Sequence, residues 1–338
     1  MNNTNEFSRL LNNIYPPIFL LIGTIGNVFS FWIWVKRVKS SPGSTCLFLA
    51  VMCATDTYVL IHGCMRKWLM FLPIQMDIRT TFNCKVPILL FVFFSDFSVW
   101  IIILLCTERM ICVFLPANAK YICQLKHGII SLFLLFTLLL AFNCHFLWTV
   151  RVSAMNTECD VADSRYKPFF AVWQYIDFAL YSFIPFIFIF VLNSMILIKL
   201  YRKDSHFICR RKQNVTGRIF RTVLLMAIAH FIFTMPIVVY FLINEKLCIP
   251  YNSTCEILND FFFALQNANH LMHFFLYSTT STLFSADLKQ IFIKYFKFMN
   301  KRQNISHANT TRSKAFMEDF EGCPTFKCES SVIRINKI

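Results

Sequence analysis

The chain has 338 residues, of which 57% are hydrophobic and 15% are charged, with 40 Phe and only 7 Gly. A soluble domain usually carries about a quarter charged residues, so this composition excludes an ordinary soluble protein. The net charge of +15 is large enough for a nucleic-acid-binding protein. Its location beside long apolar segments points to a membrane surface instead, and we expect no nucleic-acid partner.

Seven segments are long and apolar enough to cross a membrane. A bilayer core of about 30 Å needs about 20 residues of helix. Backbone polar groups must be satisfied inside the segment, which favours helices over isolated strands. The predicted spans are residues 14–35, 46–72, 86–114, 127–150, 169–200, 219–243 and 257–283. The predicted fold is therefore an all-α membrane protein with a seven-transmembrane helix bundle.

Basic clusters set the expected orientation. Residues 36–39 and 199–212 are rich in Lys and Arg, which accumulate on the cytoplasmic side of membrane proteins. We therefore expect a multi-pass plasma-membrane protein, with no cleavable signal peptide, that inserts through its first span. The predicted divisions are an extracellular N-terminus at 1–13, a membrane domain at 14–283, an amphipathic helix at 284–298 and a disordered cytoplasmic tail at 299–338.

The amphipathic helix follows the last span directly. Leu288, Ile291, Phe292, Tyr295 and Phe296 recur at helical spacing, and Lys residues occupy the other face. Such a helix is typical of the membrane interface, with lipid as its partner. The alternative is an ordinary tail helix that packs on protein.

The extracellular segments contain modification signals. Asn2 and Asn252 each begin an Asn-X-Ser/Thr glycosylation signal. The cysteines in these segments are Cys84, Cys159, Cys248 and Cys255. Four cysteines allow three disulfide connectivities, and the spacing alone does not choose among them.

Motifs inside the spans resemble those of the rhodopsin-like (class A) G-protein-coupled receptors, in order over roughly residues 15–296. The third predicted span carries Cys84 and Glu108-Arg109-Met110 at the spacing that this family has between its cysteine and its D/E-R-Y box. The other matching positions are Gly26-Asn27, Asp56, Pro116, Pro185, Pro236, Tyr277 and Phe284. The resemblance implies an extracellular ligand, a heterotrimeric G protein as partner, and a Cys84–Cys159 disulfide. A second disulfide, Cys248–Cys255, is expected within one loop, with free thiols as its alternative.

Several positions depart from the family pattern. Thr234 stands where the sixth span has its Trp, and His273 and Phe274 replace the Asn-Pro pair of the seventh span. Asn193 replaces the usual Tyr of the fifth span, and the fourth span lacks its central Trp. The Asn and the altered seventh span resemble those of invertebrate neuropeptide receptors, the FMRFamide type among them. These departures leave open whether activation follows the usual route.

Glu108 and Arg109 are an adjacent charge pair after a long apolar run. In the resembling family the acidic residue binds Arg in the inactive state, and the released Arg contacts the G protein. The alternative is a simple anchor at the membrane boundary, since Arg near a helix C-terminus is favourable there. The resemblance implies that the activation and coupling residues are Glu108, Arg109, Asn193, Arg218, Arg221 and Tyr277.

Asp56 is the centre of a predicted polar network. An ionisable residue within a span is costly and is usually functional. The resemblance implies a sodium ion bound near Asn27, Asp56, Ser98, Asn269 and His273. The alternative is a hydrogen-bonded Asp56–His273 pair that only packs the helices.

Two prolines and a pocket complete the prediction. Pro185 and Pro236 are expected to kink their helices and act as hinges. The resemblance implies that the ligand-binding residues are His62, Arg66, Phe91, Ser95, Tyr181, Tyr240, Phe263, Gln266 and Asn267. Phe91 occupies the place of the amine-binding Asp, and Asn267 the place of the retinal Lys, so neither a monoamine receptor nor an opsin is expected.

The predicted ligand is a neuropeptide, with a small molecule as the other option. Arg66 and Lys67 offer a positive site for a carboxylate, although both residues are also suited to the membrane interface. Asp160, Asp163 and Asp177, with Glu158, offer the opposite charge to a basic peptide.

Two other functions stay open. The chain is alternatively a seven-span channel or transporter, or a ligand-binding protein that does not couple to a G protein. No phosphate-binding loop or catalytic constellation is visible, so an enzyme is not expected, and no cofactor is expected beyond sodium.

Overall fold

The structure is a computed structural model that describes residues 6–40, 42–71, 81–152, 159–203, 210–248 and 253–298. It is almost entirely helical over these residues. The chain divides into two compact units, Met1–Ser285 and Ala286–Ile338. The helices of the first unit are α1 (Glu6–Ser40), α2 (Ser44–Phe71), α3 (Thr81–Phe114), α4 (Pro116–Ile122), α5 (Leu125–Asn143), α6 (Phe146–Thr149), α7 (Lys167–Phe178), α8 (Ile184–Lys203), α9 (Arg210–Leu247) and α10 (Ser253–Thr280).

Six helical segments within the described part of the chain are long and apolar enough to cross a membrane. They are Glu6–Ser40, Ser44–Leu69, Cys84–Phe114, Leu125–Thr149, Ser164–Lys199 and Arg221–Ile243. Large apolar side chains on them are exposed, among them Leu21 (64%), Phe133 (65%) and Phe190 (62%). Apolar surface of this extent is suited to lipid rather than water. The prediction of a multi-pass membrane protein is confirmed at this level.

The segment predicted as the seventh span is the helix α10, which is not among the six apolar segments. Its polar residues lower its hydropathy, and they are buried. Asp260, Asn267, Asn269, His270 and His273 are each at most 4% exposed. Because these side chains point into the protein, α10 is polar where the other long helices are apolar.

The predicted fifth span is not one regular helix. It consists of α7, a five-residue π-helical turn at Ala179–Phe183, and α8. A π turn has one residue more than the α-helical turn it replaces, and such turns are frequent at functional sites. Pro185 follows the turn directly, at the second residue of α8.

Pro116 ends α3 and begins α4. Proline disfavours a helical conformation in the residue before it, and Leu115 has φ −125° and ψ 57°. Proline also fits the first turn of a new helix, where its missing N–H has no partner to lose.

A two-stranded antiparallel sheet lies between the fourth and fifth long segments. It pairs β1 (Val150–Val152) with β2 (Cys159–Val161), in the register Val150↔Val161 and Val152↔Cys159. Cys159 of β2 is disulfide-bonded to Cys84 near the start of α3. The hairpin is therefore covalently attached to the end of α3 opposite Phe114.

Residues 282–285 are helical in the first unit, and residues 286–298 are helical in the second. In the second unit Phe292, Tyr295 and Phe296 are 52%, 57% and 61% exposed. The apolar side chains of the predicted amphipathic helix are thus on its surface. Their location in a membrane interface stays a prediction, and residues 299–338 lie outside the described part.

Candidate functional site

The buried Asp56 carboxylate lies among three hydrogen-bond donors. Ser98 Oγ on α3 donates to Oδ1 at 2.7 Å. On α10, His270 Nδ1 lies 2.8 Å from Oδ1 and His273 Nδ1 lies 2.6 Å from Oδ2. A carboxylate only accepts hydrogen bonds, so both Nδ1 atoms carry protons. Asp56 is fully buried, and it links α2, α3 and α10.

The network differs from the prediction in three ways. His270 was not predicted to bind Asp56, although its position three residues before His273 puts both on one helix face. Asn27 donates to the backbone carbonyl of His270 at 3.1 Å rather than to Asp56. Asn269 also does not bind Asp56, and its Nδ2 lies 3.5 Å from His230 Nδ1. Ser98 and His273 lie where they were predicted.

Glu108 and Arg109 are buried together at the end of α3, at 5% and 8% exposure. Glu108 Oε2 accepts from Thr45 Oγ1 at 2.8 Å and lies 3.4 Å from Arg109 Nη2. Ser44 Oγ donates to Glu108 Oε1, and Arg109 Nη2 donates to Thr45 Oγ1. The first two residues of α2 thus supply hydroxyl groups to both charges. A membrane anchor would extend its guanidinium outward, whereas this one is turned inward.

The π turn has two backbone carbonyls that lack an ordinary helical partner. A π-helical hydrogen bond joins a carbonyl to the N–H five residues later, so the Leu180 carbonyl would need the N–H of residue 185. An α-helical bond joins a carbonyl to the N–H four residues later, so the Tyr181 carbonyl would need the same N–H. Residue 185 is proline, which has no N–H. Trp100 Nε1 on α3 donates to the Leu180 carbonyl at 3.0 Å. His230 Nε2 on α9 donates to the Tyr181 carbonyl at 3.2 Å.

His230 therefore connects the π turn to α10. With its proton on Nε2, its Nδ1 is free to accept from Asn269 Nδ2. Thr234, which stands where the resembling receptors have a Trp, donates its hydroxyl to the His230 carbonyl at 2.7 Å. The hinge function of Pro185 and Pro236 stays a prediction.

One cavity of about 270 Å³ lies between α2, α3 and α10. It is lined by His62, Gly63, Arg66, Lys67, Phe91 and Phe263. The rings of Phe91 and Phe263 are stacked with their centres 6.1 Å apart, and the centres of the His62 and Phe91 rings are 5.3 Å apart. Four of the predicted ligand-binding residues meet here, and Gly63 and Lys67 join them.

Gly63 keeps the cavity open. A Cβ at this position would lie 2.6 Å from Asn267 Oδ1 and 3.2 Å from Phe91 Cε2. Asn267, also predicted to bind ligand, is therefore directly behind Gly63. It is 1% exposed, and its Nδ2 donates to the Phe263 carbonyl at 3.0 Å.

Asp260, on α10, binds residues from two other helices beside this cavity. Lys67 Nζ on α2 lies 2.7 Å from Oδ1, and also 5.1 Å from the centre of the Phe263 ring. Asn12 Nδ2 donates to Oδ2 at 2.5 Å, and Ser8 Oγ donates to the same oxygen. The first turns of α1, predicted as part of an extracellular N-terminus, are thereby attached to α10. The sequence reasoning missed Asp260.

The remaining predicted ligand-binding residues lie outside this cavity's lining. Ser95 Oγ donates to the Phe91 carbonyl at 2.8 Å. The Tyr181 hydroxyl, in the π turn, accepts from Gln266 Nε2 at 3.3 Å. Tyr240 donates its hydroxyl to the Cys255 carbonyl at 2.9 Å. The Ser95 bond lies within α3, whereas the bonds of Tyr181 with Gln266 and of Tyr240 with Cys255 join different helical elements.

Both predicted disulfides are present. Cys84 is bonded to Cys159 and Cys248 to Cys255. The free-thiol alternative for the second pair is therefore wrong in this structure.

The other predicted coupling residues have distinct locations. Asn193 Nδ2 donates to the Ile189 carbonyl at 2.8 Å and lies 3.6 Å from Cys106 Sγ on α3. Tyr277 is fully buried, and the centre of its ring lies 5.6 Å from that of Trp34 and 5.7 Å from that of Phe284. Arg221 is exposed on α9. The side chain of Arg218, and the residues Asn2, Glu158 and Asn252, lie outside the described part of the chain.

Two described side chains outside the long apolar segments, Asp163 and Cys123, have shifted pKa values. The Arg165 backbone N–H donates to the Asp163 carboxylate at 3.0 Å and lowers its pKa. Between α4 and α5, burial raises the pKa of the Cys123 thiol to about 12, and the neighbouring Cys112 adds to the effect. The two sulfur atoms are 4.0 Å apart.

No family model matches this chain, and no curated protein matches it. The function is therefore argued from its own residues.

Proposed function

We propose that this chain is a receptor of the rhodopsin-like G-protein-coupled type, with seven spans, an extracellular N-terminus and an eighth interfacial helix. The observation that carries the proposal is the buried Glu108–Arg109 pair, bound by Ser44 and Thr45. Arg is always charged and has five donors in a planar fork. An Arg that is bound to hydroxyl groups and to its acidic neighbour can exchange these partners for those of another protein.

A second feature that supports the proposal is the distance between the cavity and this pair. Phe91 lines the cavity and Arg109 is 18 residues later on the same helix. At a rise of 1.5 Å per residue, the two lie about 27 Å apart along α3. A ligand at one face and a G protein at the other would thus both contact α3.

A third feature is the chain of polar contacts between these ends. Asp56 joins α2, α3 and α10, and His230 joins α9 to the π turn and α10. Under the proposal, a shift of α10 or α9 on ligand binding changes partners in this network. Outward movement of the end of α9 that carries Arg221 would then open the site for the G protein.

The volume and lining of the cavity limit the size and chemistry of the ligand. At 270 Å³ it is slightly smaller than a typical site of about 300–1,000 Å³ for a small molecule. It would take one end or one side chain of a peptide, with the rest outside. Two cations and three aromatic rings line it, and Asp260 compensates Lys67. A terminal carboxylate or an aromatic side chain suits this surface better than an amine does.

The test measures nucleotide exchange in membranes that contain the full chain and heterotrimeric G proteins. A library of neuropeptides and small molecules is applied to the wild type and to Arg109→Ala. We expect at least one compound to stimulate exchange in the wild type and none in the variant, with equal surface expression. Arg151→Ala is the matched control, because Arg151 is an exposed residue of the hairpin and should keep the response.

Other outcomes decide against parts of the proposal. Retained stimulation in Arg109→Ala would contradict the role of Arg109. Currents evoked by a compound that stimulates no exchange would favour the channel, and binding without either response would favour an uncoupled receptor.

A further inference from the structure

A second buried carboxylate, Asp96, plays no part in the network described above. It is on α3 and is 1% exposed. Its Oδ2 accepts from Asn143 Nδ2 on α5 at 2.9 Å. Its Oδ1 has no hydrogen-bond partner among the described residues, and neither has Asn143 Oδ1, although both atoms are buried. Two acceptor atoms without a donor therefore lie close together inside the bundle.

Asp177 on α7 lies at the same level as Asp96. The α3 helix and the α7–α8 segment run parallel, because contacts join them in the same order. Cys84 is bonded to Cys159 at one end, Trp100 binds the Leu180 carbonyl in the middle, and Lys199 Nζ lies 5.6 Å from the Phe114 ring at the other end.

The contact between Trp100 and Leu180 shows how far along their helices the two carboxylates lie. Asp96 is one turn before Trp100, and Asp177 is about one turn before Leu180, on helices that run in the same direction. The two carboxylates therefore lie at the same position along neighbouring helices, where the charge of Asp177 acts on Asp96. Asp177 is partly exposed, which leaves an approach to the buried Asp96.

Two carboxylates in such a place cannot both stay ionised without a positive partner. Like charges within a low-dielectric interior repel strongly, and burial removes the water that would compensate them. A shared proton or a bound cation resolves this conflict. The buried amide oxygen of Asn143 would add an uncharged oxygen ligand to a cation here, as sites for hard cations in proteins often do.

We propose that Asp96, Asp177 and Asn143 form a binding site for a monovalent cation, which is either a free sodium ion or the ammonium group of an organic ligand. This site differs from Asp56, whose two oxygens already accept from Ser98, His270 and His273. It also lies on the α5 and α7 side of α3, whereas the cavity lies on the α2 and α10 side. The proposal does not require coupling to a G protein.

The experiment measures the midpoint of thermal unfolding, Tm, of the purified full chain in detergent. Tryptophan fluorescence follows unfolding, and Trp100 lies one turn from Asp96. NaCl, methylammonium chloride and tetraethylammonium chloride are compared at equal concentration. The third cation controls for ionic strength, because it is bulky and has no N–H group. The variants are Asp96→Asn and Asp177→Asn, with Asp56→Asn as the matched control.

We expect sodium or methylammonium to raise Tm of the wild type and of Asp56→Asn by about 2–4 °C relative to tetraethylammonium. The rise should be lost in Asp96→Asn and in Asp177→Asn. An effect of sodium identifies a free ion, and an effect of methylammonium alone identifies the ammonium group of a ligand.

Three results would overturn the proposal. The first is that neither cation raises Tm of the wild type, which would assign a shared proton to the pair. The second is a rise that persists in both carboxylate variants. The third is a rise lost in Asp56→Asn, which would place the cation at Asp56. Should Asp96→Asn fail to fold, the partly exposed Asp177 still provides the comparison.

Discussion

Replacement of Asp260 by Ala removes the acceptor shared by Ser8, Asn12 and Lys67. Asp260 is 4% exposed, so water does not easily take its place. Removal of one partner of a buried ion pair usually costs about 3–5 kcal/mol. The Lys67 side chain is 21% exposed and recovers part of its hydration. We therefore expect the free energy of unfolding to fall by about 3 kcal/mol, at the low end of that range.

Thermal unfolding of the purified chain measures this loss. At about 2 °C per kcal/mol, which suits a large chain, Tm should fall by about 6 °C. Asp163→Ala is the control, because its ion pair with Arg165 has the similar N···O distance of 3.0 Å but is exposed, with side-chain exposures of 41% and 72%. We expect no measurable change there. Equal Tm values for the two variants would refute the claim that burial of the pair stabilises the attachment of α1.

Two further predictions concern single side chains. His230→Phe keeps an aromatic ring but leaves the buried Tyr181 carbonyl without its donor, which should cost about 1–3 kcal/mol in thermal unfolding; an unchanged Tm would mean that the contact does not stabilise the π turn. Cys123 should react slowly with iodoacetamide, because a pKa of about 12 leaves roughly a thousandfold less thiolate than an ordinary thiol. Its rate should rise about tenfold per pH unit up to pH 9 and above, as followed by mass spectrometry of its peptide; an equal rate in the native and denatured chain would contradict the burial argument.

Hydropathy predicted the long helices well because lipid imposes a minimum length on each apolar segment. It described α10 less well. Here the polar side chains point into the bundle, and a sum over the segment does not record the direction of a side chain. Asp260, His270 and His273 lower the same average that Phe and Leu raise, although all three are buried. The sequence predicted the helix α10 but not the contact of Asp260 with Lys67 or that of His270 with Asp56.

The site shows a similar division between local and distant information. The resemblance placed Ser98 and His273 near Asp56, and both side chains hydrogen-bond to its carboxylate. The resemblance pointed to Asn269, whereas its neighbour His270 is the residue that lies beside Asp56. One residue along a helix turns a side chain by about 100°, so the two point to different partners. The pairing of Asp260 with Ser8 joins residues far apart in the chain, and no local pattern contains it.

The backbone at the π turn limits how this protein can assemble. In lipid, a carbonyl without a donor costs several kcal/mol. Inserted alone, the α7–α8 segment would present the Leu180 and Tyr181 carbonyls to hydrocarbon, since Pro185 cannot serve either. Their donors, Trp100 and His230, come from one helix synthesised earlier and one synthesised later. The segment is therefore unfavourable when it is alone in the bilayer. It gains the first donor when it packs against α3, and the second only after α9 has been inserted.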